Sequence, residues 1–280
     1  MAIKERGADR TGAMPLTEHL RELRSRLVKS GIAIGIGMVI GWIYYPQLFD
    51  WLSAPFMGAV DQARAEGREV TLALTGVADP FVLQMQVAAV AGLVLSAPVW
   101  LYQLWRFITP GLHGNERRWA VGFAAVATPL FASGVFLAYT VLPYGLEILL
   151  GFTPENVENI VSVDRYLSFF LRTILVFGIG FLVPLLLVLL NFAGVLPGKT
   201  LLGWWRWIVI GVLVFSAVAT PTGDPINLML LAGPILVLVV IAVGVCLLND
   251  KRRARRDRRG AEPDYTSFDD DETSPLDEAT

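Results

Sequence analysis

Long runs of apolar residues constrain the fold of this chain more than any other feature of its sequence. They lie at residues 28–48, 80–106, 118–142, 166–192, 204–219 and 226–248. A helix needs about 20 consecutive apolar residues to cross the ~30 Å hydrocarbon core of a bilayer. Only 17% of the residues are charged, against about 25% in soluble domains, and most of them lie outside these runs. The pattern predicts an all-α integral membrane protein with six transmembrane helices.

The distribution of lysine and arginine predicts the orientation of these helices. Nineteen of the 23 basic residues lie in four segments that alternate helices would place on one side of the membrane. Loops rich in lysine and arginine stay in the cytoplasm, so we expect both termini there. The expected organisation is a cytoplasmic segment with an amphipathic helix (1–27), a six-helix membrane domain (28–248), and a disordered tail, basic and then acidic (249–280).

The fifth predicted helix, residues 204–219, is short for a membrane span. Its 16 residues rise only about 24 Å, less than the ~30 Å hydrocarbon core. A span of that length must thin the bilayer or be shielded by neighbours. The sequence thus indicates a protein that perturbs the membrane around this helix.

A short segment before the first apolar run combines acidic and basic residues at helical spacing. "LTEHLRELRSRL", residues 16–27, reads as an amphipathic surface helix. Glu22 and Arg26 are four residues apart, the spacing at which side chains on a helix can form an ion pair. From the residues alone, Glu22 needs no further role.

A second acidic residue, Glu116, lies at the predicted start of the third helix. It follows the aromatic-rich stretch "LSAPVWLYQLWRFITPGL", where Pro98 is expected to kink the second helix. Negative charge in the first turn complements the helix dipole. Taken alone, Glu116 needs no other explanation.

These stretches belong to a longer series of motifs that resembles the TatC family. "HLRELRSRL", the aromatic stretch, "FGIGFLVPLLLVLL" and "TPTGD" occur in that family's order, and the resemblance covers residues 16–248. It implies a curved wall of six helices with a concave face and short fifth and sixth helices. The implied role is the core receptor subunit of the twin-arginine translocase in the cytoplasmic (inner) membrane. Such a subunit exports folded proteins using the proton motive force.

The resemblance also implies a binding site for twin-arginine signal peptides, with Glu22 and Glu116 as the acidic residues. The guanidinium group of arginine is a planar fork that a carboxylate accepts with two hydrogen bonds, whereas lysine supplies charge without the fork. His19, Arg24 and Phe107 match further motif positions and are expected to shape this site.

One position departs from the family pattern. The family often has a glutamate within "FGIGFLVP", where this chain has Leu182. Charges inside the bilayer are costly and usually functional. A contact between a charge at this position and the signal peptide is therefore not expected here.

Three further residues are candidates for binding partner subunits. Asp224 and Asn227 resemble positions that the family uses near its partner-binding surface, although Asp224 is equally suited to capping the sixth helix. Arg172 either extends toward the membrane surface or faces the concavity and pairs with a partner's acidic group. The implied partners are TatA- and TatB-like single-span subunits, membrane lipid and further copies of this chain.

Other classes of function find less support. "AGVLPGKT", residues 193–200, fits the phosphate-loop pattern, but that motif works only between a strand and a helix. We predict no enzyme activity, cofactor, metal or nucleic-acid partner. The alternative is an ion-coupled secondary transporter of a small solute, which should have charged residues at the membrane midplane.

Overall fold

The protein folds as a set of long helices with two short strands. The computed structural model describes residues 16–65, 67, 70–108, 116–152, 159–219 and 225–260. In chain order the elements are α1 (Leu16–Ile43), α2 (Tyr45–Ala65), β1 (Val70–Ala73), α3 (Asp79–Leu95), α4 (Ala97–Ile108), α5 (Glu116–Gly151), β2 (Asn159–Ser162), α6 (Val163–Phe192), α7 (Gly198–Gly203), α8 (Trp205–Ala219) and α9 (Pro225–Gly260).

Several of these helices are long and apolar enough to cross a membrane. Within the described part of the chain, α1, α5, α6 and α9 each contain such a span, and α3 with α4 forms a fifth that is bent by 60°. The chain is therefore a multi-pass membrane protein. A sixth crossing depends on α8, whose 15 residues rise only about 22 Å, so the count of six stays a prediction.

Helix boundaries differ from the predicted ones at several points. The amphipathic segment and the first span form one helix, α1, which ends at Ile43. Helix α5 continues through Pro143 to Gly151, where a loop was predicted. A helix pairs the N–H and C=O groups of its own backbone in hydrogen bonds. Continuing the helix therefore costs less free energy than leaving these groups unpaired near the bilayer.

The tail also differs from the prediction. Residues 249–260 are the end of α9 and are helical, so the predicted disorder of 249–280 is wrong for this part. Arginine and alanine are good helix formers, and neither glycine nor proline interrupts the helix between Lys251 and Arg259. The remaining residues of the tail lie outside the described residues.

The predicted kink of the second span is present. It falls at Ser96, and Pro98 stands in the first turn of α4, where the absence of an N–H group is tolerated. The indole Nε1 of Trp100 donates to the carbonyl of Leu93 across the bend, at 3.0 Å. This bond takes up a carbonyl that the helix ladder leaves free.

One end of the bundle, called the capped end here, is covered by α2, β1 and β2. The strands pair in parallel, with Val70 opposite Asn159. The guanidinium of Arg64 on α2 donates to the carbonyl of Val70 at 2.8 and 3.1 Å. Phe56 of α2 stacks on Tyr166 of α6 with ring centroids 3.9 Å apart. A buried face of α2 therefore attaches the cap to the central helix.

The opposite end, called the basic end here, carries the start of α1, the end of α6 and the charged end of α9. A polar cluster joins these last two helices. The Asp250 carboxylate accepts from the Asn191 amide at 2.8 Å and from the Gly198 N–H at 2.7 Å. Asn249 donates to the Asn191 oxygen at 3.0 Å. The segment with the phosphate-loop pattern is thus a turn between helices, fastened to a carboxylate.

Candidate functional site: an apolar groove beside Glu22

A groove of about 550 Å³ opens near the basic end of the bundle. It runs along α1 from Leu23 to Ile34, a rise of about 16 Å. Its other walls come from α3, α4, α5 and α6. The lining residues are Leu23, Arg26, Leu27, Ser30, Ile34, Leu93, Trp100, Leu101, Gln103, Leu104, Trp105, Phe107, Phe123, Ile179, Leu182, Val183, Leu186 and Leu189.

Among the described residues, the lining of the groove is apolar apart from Arg26, Ser30 and Gln103. Several of its side chains are exposed, including Leu27 at 69% and Ile179 at 48%. In a membrane protein, a lining of this kind accepts an apolar segment without leaving polar groups unsatisfied.

The bend between α3 and α4 gives the groove its aromatic wall. Trp100 packs edge-on against Phe131, with ring centroids 5.6 Å apart. One turn further along α4, Trp105 stacks on Phe123 at 4.4 Å. These two contacts hold α4 against α5, so that Phe107 and Trp105 line the groove near the basic end.

Glu22 lies beside this groove and forms the ion pair that its spacing predicts. Arg26 Nη2 donates to the Glu22 carboxylate Oε1. The Arg26 side chain is 11% exposed and that of Glu22 is 24% exposed. The pair is therefore largely shielded from water, and its arginine forms part of the groove lining.

The structure places the second predicted acidic residue at the same end of the bundle. Glu116 is the first residue of α5, seven residues before Phe123, or about 10 Å along the helix axis. Its backbone therefore begins α5 near the basic end of the groove. The Glu116 side chain lies outside the described atoms.

The three remaining predicted residues of this site have different positions. Phe107 lines the groove. Arg24 is exposed and does not belong to the lining, because it lies two residues from both members of the ion pair and hence on the other face of α1. His19 is a residue of α1 whose side chain lies outside the described atoms.

Leu182 is part of the apolar wall that α6 contributes. It lies on one face of the helix with Ile179, Val183 and Leu186, and all four line the groove. Position 182 therefore places an apolar side chain, and no charge, in the groove. This wall can contact an apolar partner but offers it no ionic bond.

The candidate partner-binding residues are not brought into the groove. Arg172 is exposed on α6, seven residues before Ile179 and so on the same face. It forms no ion pair with any residue that the structure describes. Asn227 lies in the first turn of α9, toward the capped end, with its side chain undescribed. Asp224 lies outside the described residues.

Sequence reasoning missed most of the groove. Leu23, Leu27, Ser30 and Ile34 repeat every three or four residues on one face of α1, a helical pattern. This pattern was not recognised because it crosses the predicted boundary between the surface helix and the first span. Within the described residues, no group of three or more His, Cys, Asp or Glu could hold a metal ion.

Comparisons with known proteins agree on one family. Residues 18–234 match the family model of TatC, the Sec-independent protein translocase protein. The TatC protein of Frankia casuarinae is 44% identical over 94% of this chain and 73% of its own length. That of Xylanimonas cellulosilytica is 40% identical over 87% of each chain.

Solved structures lead to the same result. The fold is similar to a crystal structure of the twin-arginine translocase receptor TatC in DDM, with a TM-score of 0.71 and 33% identity. The similarity covers 81% of this chain and 99% of that one. A second crystal structure of the same receptor gives a TM-score of 0.69 at 34% identity, over 82% of this chain and 98% of that one. The chain therefore belongs to the TatC family of Sec-independent protein translocase proteins.

Proposed function

We propose that this chain is the receptor and core subunit of a twin-arginine translocase in the cytoplasmic membrane. Membership of the TatC family makes it a translocase component rather than a solute transporter or an enzyme. The observation that carries the receptor role is the position of Glu22, a shielded carboxylate beside an apolar groove. A signal peptide combines the two matching features, a pair of arginines and an apolar segment.

In this proposal Glu22 and Glu116 each accept one arginine of the signal peptide. A guanidinium–carboxylate pair with two hydrogen bonds is stronger and more specific than a lysine contact. His19, Arg24 and Phe107 shape the site, and Phe107 does so as part of the groove lining. The apolar segment then lies along α1 and α6.

The proposal requires the basic end to face the cytoplasm. The exposed Arg21, Arg24 and Lys29 of α1 and the exposed Lys251–Arg255 of α9 support this orientation, because basic segments stay on the cytoplasmic side. Both termini and the mouth of the groove then face the compartment where a signal peptide is made.

Partner subunits are proposed to assemble along the short helix α8. Its apolar residues Ile210, Val214 and Val218 are all exposed and fall on one face. A helix too short for the bilayer favours association with other spans. Arg172, Asp224 and Asn227 are the proposed contacts for TatA- and TatB-like single-span subunits. Transport is proposed to use the proton motive force.

The receptor role is tested by the affinity of the purified protein in nanodiscs for a synthetic twin-arginine signal peptide and for its twin-lysine version. We expect the arginine peptide to bind more tightly, and Glu22→Gln to lower its affinity about 10- to 100-fold, as expected for loss of a charged hydrogen-bonded pair. Asp61→Asn, at an exposed carboxylate on α2, is the matched control and should leave the affinity unchanged.

Glu116→Gln tests the second carboxylate in the same assay and should have a similar effect. Equal affinities for the arginine and lysine peptides would overturn the receptor role. A preference for arginine that survives both glutamine substitutions would retain the receptor but refute its site.

A further inference from the structure

The Glu22–Arg26 pair differs from an ordinary ion pair on a helix surface. Its two side chains are mostly withdrawn from water, yet the contact consists of one hydrogen bond, from Arg26 Nη2 to Glu22 Oε1. Glu22 Oε2 and Arg26 Nε are buried and find no hydrogen-bond partner among the described residues. Each group thus keeps hydrogen-bonding capacity that this contact does not use.

A carboxylate of this kind binds a better-oriented guanidinium more strongly than the one it already holds. An arginine from another chain can approach both oxygens with its fork, which gives two parallel hydrogen bonds. Arg26 reaches Glu22 from the same helix, four residues away, and makes only one. The carboxylate that we propose as a receptor group is therefore already occupied by an internal arginine.

We propose that Arg26 is an internal competitor for Glu22, which holds this carboxylate in the empty receptor and is displaced by an arginine of the signal peptide. The inference rests on the proposed function of Glu22. Arg26 lines the groove close to the basic end, so its long side chain can turn toward the membrane surface when displaced. Arg26 thus sets a threshold affinity that any peptide using Glu22 must exceed.

Competition has a distinctive effect on affinity. Every peptide that uses Glu22 must displace Arg26, so the competitor lowers the affinity for arginine and lysine peptides by the same factor. The ratio between the two affinities stays constant. The affinity for the lysine peptide, which is the weaker of the two, becomes too low for that peptide to occupy the site. The opposite role, in which Arg26 holds Glu22 in its binding geometry, predicts weaker binding when Arg26 is removed.

The experiment measures binding of the twin-arginine and twin-lysine peptides to the full-length Arg26→Gln variant in nanodiscs. We expect both affinities to rise about two- to fivefold, the upper part of the range for loss of one ion pair, because this pair is shielded from water, with their ratio unchanged. Arg26→Lys keeps the charge but loses the fork, and should give affinities between those of the wild type and Arg26→Gln. A fall in affinity, or no change with either variant, would overturn the proposal.

Two controls separate competition from simple charge repulsion. Arg21→Gln removes the same charge from an exposed position of α1 that forms no ion pair with a described residue, and should change the affinity less than Arg26→Gln. In a Glu22→Gln background, Arg26→Gln should give no gain at all. A gain that persists there would assign the effect to repulsion and refute the competitor.

These measurements also distinguish this inference from the proposed function. If Glu22→Gln binds both peptides as the wild type does, the receptor site itself is wrong. If Glu22→Gln loses binding while Arg26→Gln gains none, the receptor site stands and only the competitor fails. A thermal unfolding midpoint for each variant identifies one that is merely misfolded, and Arg26→Lys then provides the test.

Discussion

Gly37 of α1 and Gly92 of α3 lie backbone against backbone where these two helices cross. A Cβ atom on Gly37 would lie 2.8 Å from the carbonyl oxygen of Gly92, and one on Gly92 would lie 2.6 Å from the Met38 amide nitrogen. Both distances are shorter than carbon contacts allow. Small residues permit this close approach, which is a main source of helix association in membranes.

Alanine at either glycine should therefore separate α1 from α3. We expect Gly37→Ala and Gly92→Ala each to lower the free energy of unfolding by about 1–3 kcal/mol, the usual cost of overpacking. The thermal unfolding midpoint in detergent measures the effect.

Gly35→Ala is the matched control for this crossing. Gly35 lies on the exposed side of α1, and a Cβ atom there meets nothing within 4 Å. Because alanine favours the helix over glycine, stability should stay constant or rise. Equal losses for Gly35→Ala and Gly37→Ala would refute the close crossing.

How far the sequence could predict the fold depends on the range of the interactions involved. The helices that coincide with local apolar runs were predicted, whereas α2, Tyr45–Ala65, lies mostly outside these runs and was not. The third apolar run, residues 118–142, ends before Pro143, whereas α5 continues to Gly151, because the bilayer favours continuing a helix that local preferences would stop. Strands β1 and β2 were not predicted, since Val70 and Asn159 meet only in the folded chain.

In the candidate site, too, contacts between residues close in sequence could be predicted and contacts between distant residues could not. Glu22 and Arg26 are four residues apart, so their ion pair could be predicted. The groove joins Leu23 of α1 to Phe123 of α5 and Leu186 of α6, and no local pattern connects residues so far apart in sequence. Glu116 was selected by motif, and its contribution stays a prediction.

Asp250 should be important for the stability of the basic end. Its carboxylate accepts hydrogen bonds from Asn191 and from the Gly198 backbone. In Asp250→Asn the new amide group can face only one of these donors with its oxygen, so the other loses its partner. We expect the free energy of unfolding to fall by about 1–3 kcal/mol, the cost of one unsatisfied buried donor. Thermal unfolding measures this change.

The neighbouring residue provides the control for this substitution. Lys251 is exposed on the same turn of α9, and Lys251→Gln changes the charge by one unit without touching the cluster. Stability should then stay within about 0.5 kcal/mol of the wild type. A matching loss in both variants would mean that any substitution on this turn destabilises the basic end, and would refute the role of these hydrogen bonds.

The contribution of one hydrogen bond between two membrane helices can be measured. Ser168 Oγ of α6 donates to Gln86 Oε1 of α3 at 2.6 Å. In a double-mutant cycle with Ser168→Ala and Gln86→Met, we expect a coupling free energy of about 0.6 kcal/mol, the average for such bonds in membranes. Additive effects of the two substitutions in thermal unfolding would show that the bond contributes nothing.

Leu182 offers the most direct test of how the groove binds its ligand. In the proposed complex an apolar peptide segment covers the wall formed by Leu182 and Leu186. A glutamate at position 182 would be covered together with this wall and would lose its water, and its neighbours in the wall, Ile179, Val183 and Leu186, offer it no hydrogen bond. Leu182→Glu should weaken binding of the twin-arginine peptide by tenfold or more, on the order of the cost of burying an unpaired charge.

Two comparisons show whether that loss arises in the groove. Leu182→Met keeps the volume and the apolar character, so its affinity should match the wild type. A shortened peptide that has both arginines but lacks the apolar segment should bind Leu182→Glu and wild type alike, because it leaves Leu182 uncovered. If Leu182→Glu weakens the shortened peptide equally, the substitution acts on the arginine site or on the fold, and the apolar segment binds elsewhere.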